Sequence, residues 1–200
     1  IISGSGVDTN YFKFSKIRKN SVNNFKFLCV SRIIKDKGIL EYIESAKKIK
    51  NEYPLVEFYL VGSIDNENKS KIEKNYIESN LKYIKYFNFT EKILEMIEEC
   101  DCFILPSYRE GTSRSLLEAA SVGRPLISSD VPGCNNIVYE NFNGYLFESK
   151  NVNSLYEAIK KMLNTDYSIR LKMGLNSRKL AVEQYDIETI NKKIIDEIEI

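Results

Sequence analysis

Two glutamates, Glu110 and Glu118, stand eight positions apart in "REGTSRSLLEAA", with Gly111, Thr112, Ser113, Arg114 and Ser115 between them. Gly111 breaks any helix there, which leaves Glu110 in a loop. The apolar run that follows starts a helix near Ser113–Ser115, with Glu118 in about its first turn. The free amides of such a helix start, Thr112 to Ser115, form a ready anion site. Glu110 then lies beside that site, where a carboxylate can accept hydrogen bonds from ligand hydroxyls. Each acid also has a plain structural explanation. Ser115-x-x-Glu118 reads as a capping box, and Glu110 alone reads as a solvated loop acid.

A second cluster lies in "SRIIKDKG", where Arg32, Lys35 and Lys37 share one loop closed by Gly38. A guanidinium beside an ammonium suits a diphosphate, although ordinary solvated cations would read the same way. Both clusters follow apolar runs that read as strands. Those runs are Phe25–Ser31, Val56–Gly62, Lys82–Phe87, Asp101–Pro106, Arg124–Ser129 and Gly144–Phe147. Helical patterns separate most of them, over residues 38–50, 69–80, 91–99 and 115–122. Three more follow at Val152–Leu163, Ser168–Gln184 and Ile187–Ile198. Strands alternating with helices, several of them continuous apolar runs, predict an α/β fold with a doubly wound, mostly parallel sheet covered on both faces. Ligands of such sheets bind beyond the carboxyl ends of the strands. The two clusters can therefore converge on one phosphate-bearing ligand.

Composition removes several alternatives. The 200 residues, 43% hydrophobic, suffice for one domain with a substantial core. A net charge of +1 gives no bulk basic field for nucleic acid or an anionic membrane, so basic residues matter only where they are locally placed. With no histidine, neither imidazole acid/base chemistry nor a His-ligated metal is available. Cys29, Cys100, Cys102 and Cys134 fit no zinc spacing and read as buried free thiols, which suits a reducing cytosol. No apolar stretch approaches the ~20 residues of a bilayer span. The Asp65/Glu67 pair in a polar loop and the Asp186/Glu188 pair at the start of the last helix read as solvated acids. No G-x-G-x-x-G follows the first strand, which disfavours a dinucleotide dehydrogenase.

With these residues in this order, the chain resembles the donor-binding, C-terminal half of retaining glycosyltransferases of the GT-B fold, in the group-1 (family 4) set. "SRIIKDKG" is similar to that family's Arg…Lys-Gly loop. "REGTSRSLLEAASVGRPLISSDVPG" is similar to its two glutamates eight apart, helix and G-x-P turn. "NGYLF" is similar to its Asn-Gly step before the last strand, and "GSGVD" to the segment joining the halves. The resemblance implies that Glu110 contacts hydroxyls of the donor sugar and that Glu118 holds ribose hydroxyls. It implies that amides from Thr112 to Ser115 take phosphate and sugar oxygens, and that Arg32 and Lys37 neutralise the diphosphate leaving group. The base pocket is expected at Gly62 and at Phe87, Asn88 and Phe89. Asn88 stands where the family commonly has Gly, and Asn136, read as a helix-start position, where many relatives carry Glu.

The resemblance further implies a nucleotide-sugar substrate, with uridine diphosphate as the expected carrier, and neither metal nor other cofactor. The acceptor is expected to be a lipid-linked glycan in bacterial surface polysaccharide synthesis. Residues 1–24 are expected to be a linker and lead-in, 25–184 the Rossmann-like donor domain, and 185–200 a helix packing on an absent N-terminal, acceptor-binding half. The chain begins at Ile1 rather than Met and reads as a fragment of something longer. Peripheral membrane contact at the cytoplasmic inner face is expected through that absent half. A nucleotide-sugar epimerase and a non-catalytic nucleotide-sugar-binding module are the alternatives.

Overall fold

Strands buried on both faces need apolar side chains in both directions, and "KFLCV" and "CFIL" supply them at β1 (Lys26–Val30) and β4 (Cys102–Leu105). The structure, a computed structural model, describes residues 6–19, 24–65 and 67–198. The remaining strands are β2 (Glu57–Val61), β3 (Lys85–Phe87), β5 (Leu126–Ser129) and β6 (Gly144–Phe147). The helices are α1 (Ile39–Glu52), α2 (Lys74–Glu78), α3 (Ile93–Glu99), α4 (Arg114–Val122), α5 (Val152–Leu163), α6 (Tyr167–Gln184) and α7 (Ile187–Ile198). All neighbouring strands are parallel, in the order β3-β2-β1-β4-β5-β6. The chain winds outward from β1 to β3, returns, and winds the other way from β4 to β6. The β1/β4 boundary is therefore the switch point, where a crevice opens beyond the strand ends.

The period-2 alternation of the strands splits the core into two layers. Phe27, Cys29, Phe58, Leu60 and Ile104 pack with the buried residues of α1 and α5. Leu28, Phe103, Leu105 and Leu126 pack on the opposite face with those of α3 and α4. All four cysteines are buried and free, and burial pushes the Cys29 thiol up to about 12, so it stays protonated. Residues 6–19 run along α4 and α6. Arg178 of α6 donates to the carbonyls of Thr9, Phe12 and Ser121 at 3.1, 2.8 and 2.9 Å. Val7 exchanges backbone hydrogen bonds with Tyr185 and Ile187. Residues 1–5, which include part of "GSGVD", and residues 20–23 lie outside the described residues.

Three sequence expectations are corrected. The helix expected over 69–80 forms only at Lys74–Glu78. Its first part is instead tied to the loop after β1, by an antiparallel Ile34–Lys71 bridge and a 2.7 Å bond from the Lys35 amide to the Ser70 carbonyl. The strand expected from Lys82 begins at Lys85, because Tyr83 and Ile84 close a turn onto the Asn80 carbonyl. Asn136 begins no helix. It sits in a run of turns over 132–137, and its carbonyl accepts from the Tyr185 hydroxyl at 2.9 Å.

One glycine fixes how closely the loops beyond β1 and β4 approach. Gly38 adopts φ 67°, and a Cβ there would lie 1.9 Å from the Pro106 carbonyl oxygen. Both the dihedral and the backbone contact exclude larger residues. Gly38→Ala is expected to cost about 3 kcal/mol or more of folding free energy in urea unfolding.

Candidate functional site

The loop after β1 ends in a single 3-10 turn, Lys35–Lys37, closed by Gly38. Because Gly38 lies on Pro106, that turn is pinned to the segment leaving β4. The Tyr108 amide donates to the Asp36 carbonyl at 2.8 Å. This places Lys37 against Glu110, with Nζ 2.5 Å from Oε1 and side chains only 18% and 13% exposed. A pair this sheltered is screened less than a surface ion pair, and removing one partner would strand the other's charge. The contact is one hydrogen bond of the three an ammonium can donate.

A third loop, after β5, closes on the same place. Gly133 has φ 82°, and a Cβ there would meet the Gly111 carbonyl oxygen at 2.1 Å. The Ser129 hydroxyl donates to the Ser107 carbonyl. In contrast, a Cβ on Gly111 would meet nothing within 4 Å, so this position borders open space.

The helix start differs from the expected one. Ser113 is the N-cap of α4. Its Oγ accepts from the Leu116 amide at 3.3 Å, and its carbonyl from the Leu117 amide at 3.1 Å. The third helical residue is Leu116, so no Ser115–Glu118 capping box forms. The amides of Thr112, Ser113, Arg114 and Ser115 have no hydrogen-bond acceptor among the described residues. Ser115 Oγ stands 3.4 Å from Ser113 Oγ at this end.

Glu118 is the fifth helical residue, a full turn inside α4 rather than in its first turn. It is half-buried, with neither hydrogen bond nor ion pair among the described residues. Burial pushes its carboxyl above the usual carboxylate range, and the Arg114 guanidinium offsets this only in part. A half-buried carboxylate without a partner costs stability, and such groups concentrate where ligands bind.

The outer part of the crevice is looser. Arg32 is exposed and reaches Asp65 Oδ2 at 3.5 Å. Asp65, read from the sequence as a solvated acid in a polar loop, lies in the loop leaving β2, just after a bridge between Ile33 and Ile64. An exposed pair at this distance contributes little and can be exchanged for a ligand anion.

Beyond β2 and β3, the Gly62 amide donates to the Phe87 carbonyl at 2.9 Å. The Tyr86 hydroxyl donates to the Gly62 carbonyl at 3.0 Å and is 3.2 Å from Asn88 Oδ1. Phe87 is not a free platform: its ring stacks on Tyr59, with centroids 6.1 Å apart and planes 3° from parallel. Phe89, 75% exposed, has no ring partner among the described residues. The structure thus joins Lys37 and Glu110 directly, with the Thr112–Ser115 amides following Glu110 in the same loop and Arg32, Gly62, Phe87, Asn88 and Phe89 at neighbouring strand ends. Tyr108 was not singled out from the sequence. Its hydroxyl donates to Glu41 Oε1 at 2.7 Å, bracing the Glu110 loop on α1. No group of three acidic or cysteine side chains that could hold a metal ion occurs among the described residues.

This arrangement, a doubly wound sheet with cations, free helix amides, a lysine-paired carboxylate and an unpaired one at its switch point, defines a site for an anionic, hydroxyl-bearing ligand. Residues 11–180 match the family described as "Glycosyl transferases group 1". The chain is 33% identical over 168 residues to N,N'-diacetylbacillosaminyl-diphospho-undecaprenol alpha-1,3-N-acetylgalactosaminyltransferase of Campylobacter jejuni, covering 84% of this chain and 43% of that protein. It is likewise 33% identical to UDP-Gal:alpha-D-GlcNAc-diphosphoundecaprenol alpha-1,3-galactosyltransferase of Escherichia coli, covering 87% and 45%. Among solved structures, Anabaena HepE in complex with UDP and glucose superposes with a TM-score of 0.82 at 22% identity, covering 97% of this chain and 55% of that one. The C-terminal domain of a group 1 glycosyl transferase family protein from Francisella tularensis gives 0.76 at 23%, covering 91% and 100%. The chain belongs to the group 1 glycosyl transferases, and its sheet is of the C-terminal type within the GT-B fold. It spans less than half the length of these two relatives.

Separate variants distinguish the cap from the unpaired acid. Ser113→Ala is expected to cost about 1 kcal/mol, or about 2–4 °C in thermal midpoint. Glu118→Gln is expected to raise the midpoint at pH 7. With a raised folded-state pKa, ionisation of Glu118 penalises the fold increasingly as pH rises from the ordinary glutamate pKa to the raised one, and the penalty is absent below the ordinary value. The stability difference between Glu118→Gln and the parent should therefore vanish in acid, as calorimetric scans across pH would show.

Proposed function

We propose that the chain is the donor-binding half of an enzyme that moves a sugar from a nucleoside diphosphate carrier to an acceptor, with retention at the anomeric carbon. The observation that carries the reading is the sheltered Lys37–Glu110 pair beside the free amides of α4, at the switch point of the sheet. As the bond to the anomeric carbon breaks, negative charge collects on the departing diphosphate. The Lys37 ammonium, the Arg32 guanidinium and the Thr112–Ser115 amides are fixed donors for that charge, which is stabilisation without reorganisation.

Glu110, held by Lys37, accepts hydroxyls of the sugar, and Glu118 accepts ribose hydroxyls. Ligand hydroxyls would supply Glu118 with the hydrogen bonds it lacks in the chain alone. Phe89 offers a stacking surface for the base. Uridine diphosphate is the proposed carrier, in keeping with the UDP-Gal named for the E. coli relative. A lipid-linked glycan is the proposed acceptor, in keeping with the diphosphoundecaprenol substrates named for two relatives. No metal is assigned a role, since two cations and a helix start already serve the diphosphate. The acceptor half is proposed to lie in a second domain, with α7 reaching towards it. Ile187 and Ile195 of that helix are exposed here.

Two outcomes are expected. Calorimetry with UDP should show binding that a chelator leaves unchanged and that Glu118→Ala weakens by about tenfold or more, the worth of a charge-assisted hydrogen-bond pair. In the full-length protein, Arg32→Ala should slow turnover by ~100-fold or more with a smaller change in donor affinity. NMR of the product should show retained configuration. Binding abolished by the chelator would overturn the metal-free reading, and an inverted product would overturn the mechanism.

A further inference from the structure

From residue 9 to residue 35 the chain carries seven lysines and arginines and no acid, although the whole sequence is nearly balanced at 29 cations to 28 acids. Four of the seven, Lys13, Lys16, Arg18 and Lys19, are exposed in the segment that runs along α6. None of the four has an ion-pair partner among the described residues, whereas exposed Lys71, Lys74, Lys85, Lys92, Lys161 and Lys179 each pair with a glutamate.

The segment is held by backbone bonds and by a few side chains, among them Thr9, whose hydroxyl donates to Asp186 Oδ1 at 2.6 Å, while its four cations are exposed. Asp8 Oδ1 accepts from the amides of Asn10 and Tyr11 at 2.9 and 2.8 Å. The Ser15 amide donates to the Val122 carbonyl at 3.0 Å, and Ile17 is buried as an anchor. Interleaved with the cations, Tyr11 is 58% and Phe14 40% exposed. On α6, Leu175 and Val182 lie three residues before and four after Arg178, which is bound to the segment, so they share its face of the helix. Both are exposed. Rings and aliphatic chains set among unpaired cations form an amphipathic face rather than a solvated polar one.

We propose that this face docks on an anionic lipid bilayer, with Tyr11, Phe14, Leu175 and Val182 entering the interfacial layer and the four cations meeting lipid phosphates. Lysine and arginine stems suit that arrangement, since they lie along apolar surface while their charged ends reach the headgroups. A nucleic acid would use the cations and the rings, but it offers nothing to Leu175 and Val182. The face shares no residue with the crevice beyond β1 and β4, and the proposal does not depend on the donor reading. The resemblance places membrane contact on the absent half; here a segment of this chain carries it.

The test is co-sedimentation of the chain with vesicles of phosphatidylcholine alone and of phosphatidylcholine mixed with phosphatidylglycerol. Binding is expected to the mixed vesicles only, and to weaken steeply with added salt. Lys16→Glu/Lys19→Glu should weaken partitioning by about 25-fold or more, taking about fivefold per lost cation. Tyr11→Ser, at an exposed position that should not disturb folding, should weaken it without changing the charge. Unchanged partitioning of the charge-reversal variant, equal binding to both vesicle types, or no binding to either would overturn the proposal. So would a labelled RNA oligonucleotide that binds more tightly than the mixed vesicles and displaces the chain from them.

Discussion

The contact between Lys37 and Glu110 joins two loops that are more than seventy residues apart in sequence, and the site is arranged around it. It exists because β1 and β4 are neighbours in the sheet although separated by two strands in the chain. Parallel order sends both loops out of the same edge, and the reversal of winding leaves no crossover helix covering them. The Gly38–Pro106 approach then sets the distance at which the two side chains meet. A larger residue at Gly38 would separate them, and the ammonium and carboxylate would each be left in a half-closed crevice without compensation.

Around that pair the fold leaves several polar groups unsatisfied. Glu118 lacks a hydrogen-bond partner, four amides at the start of α4 lack acceptors, and the exposed Arg32 is held only by Asp65, at 3.5 Å. Some polar groups elsewhere are fully matched, such as Asn143, which bonds at both ends of its amide, and Arg178, which holds the carbonyls of three residues; single buried atoms without a partner also occur apart from the crevice, at Arg124 Nε, Ser149 Oγ and Ser177 Oγ. What sets the crevice apart is that a carboxylate and four successive amides stand unmatched together, where the others are isolated atoms. The cluster has the composition of a diphosphate flanked by hydroxyl groups: donors at the centre and acceptor carboxylates on either side.

Much of the fold was legible because parallel strands buried on both faces must be apolar runs, so "FLCV" and "CFIL" announce themselves and the strand ends follow. The two clusters of the site were legible for the same reason, each lying just past such a run. Less legible were features that depend on contacts between loops. The segment 69–73 has helical spacing, yet its backbone is engaged by the loop after β1, and tertiary pairing overrides propensity. Ser113 and Ser115 are equally good caps by type. The choice between them rests on where the chain leaves the Gly111–Gly133 contact, which no local pattern reveals. Phe87 and Phe89 look alike in sequence, and only the facing Tyr59 tells that one ring has a stacking neighbour and the other has none. Asp65 and Tyr108 gain their roles from neighbours thirty-three and sixty-seven residues away.

The central claim is that the loops beyond β1 and β4 act as one binding surface centred on the Lys37–Glu110 pair. Titrating isotopically labelled chain with UDP and following backbone amide resonances tests it most directly. The account predicts that residues 32–38 and 111–115 shift together on a single binding isotherm, with smaller movements at Gly62 and residues 87–89. Shifts that spare either loop, or that follow two different isotherms in the two loops, would contradict it.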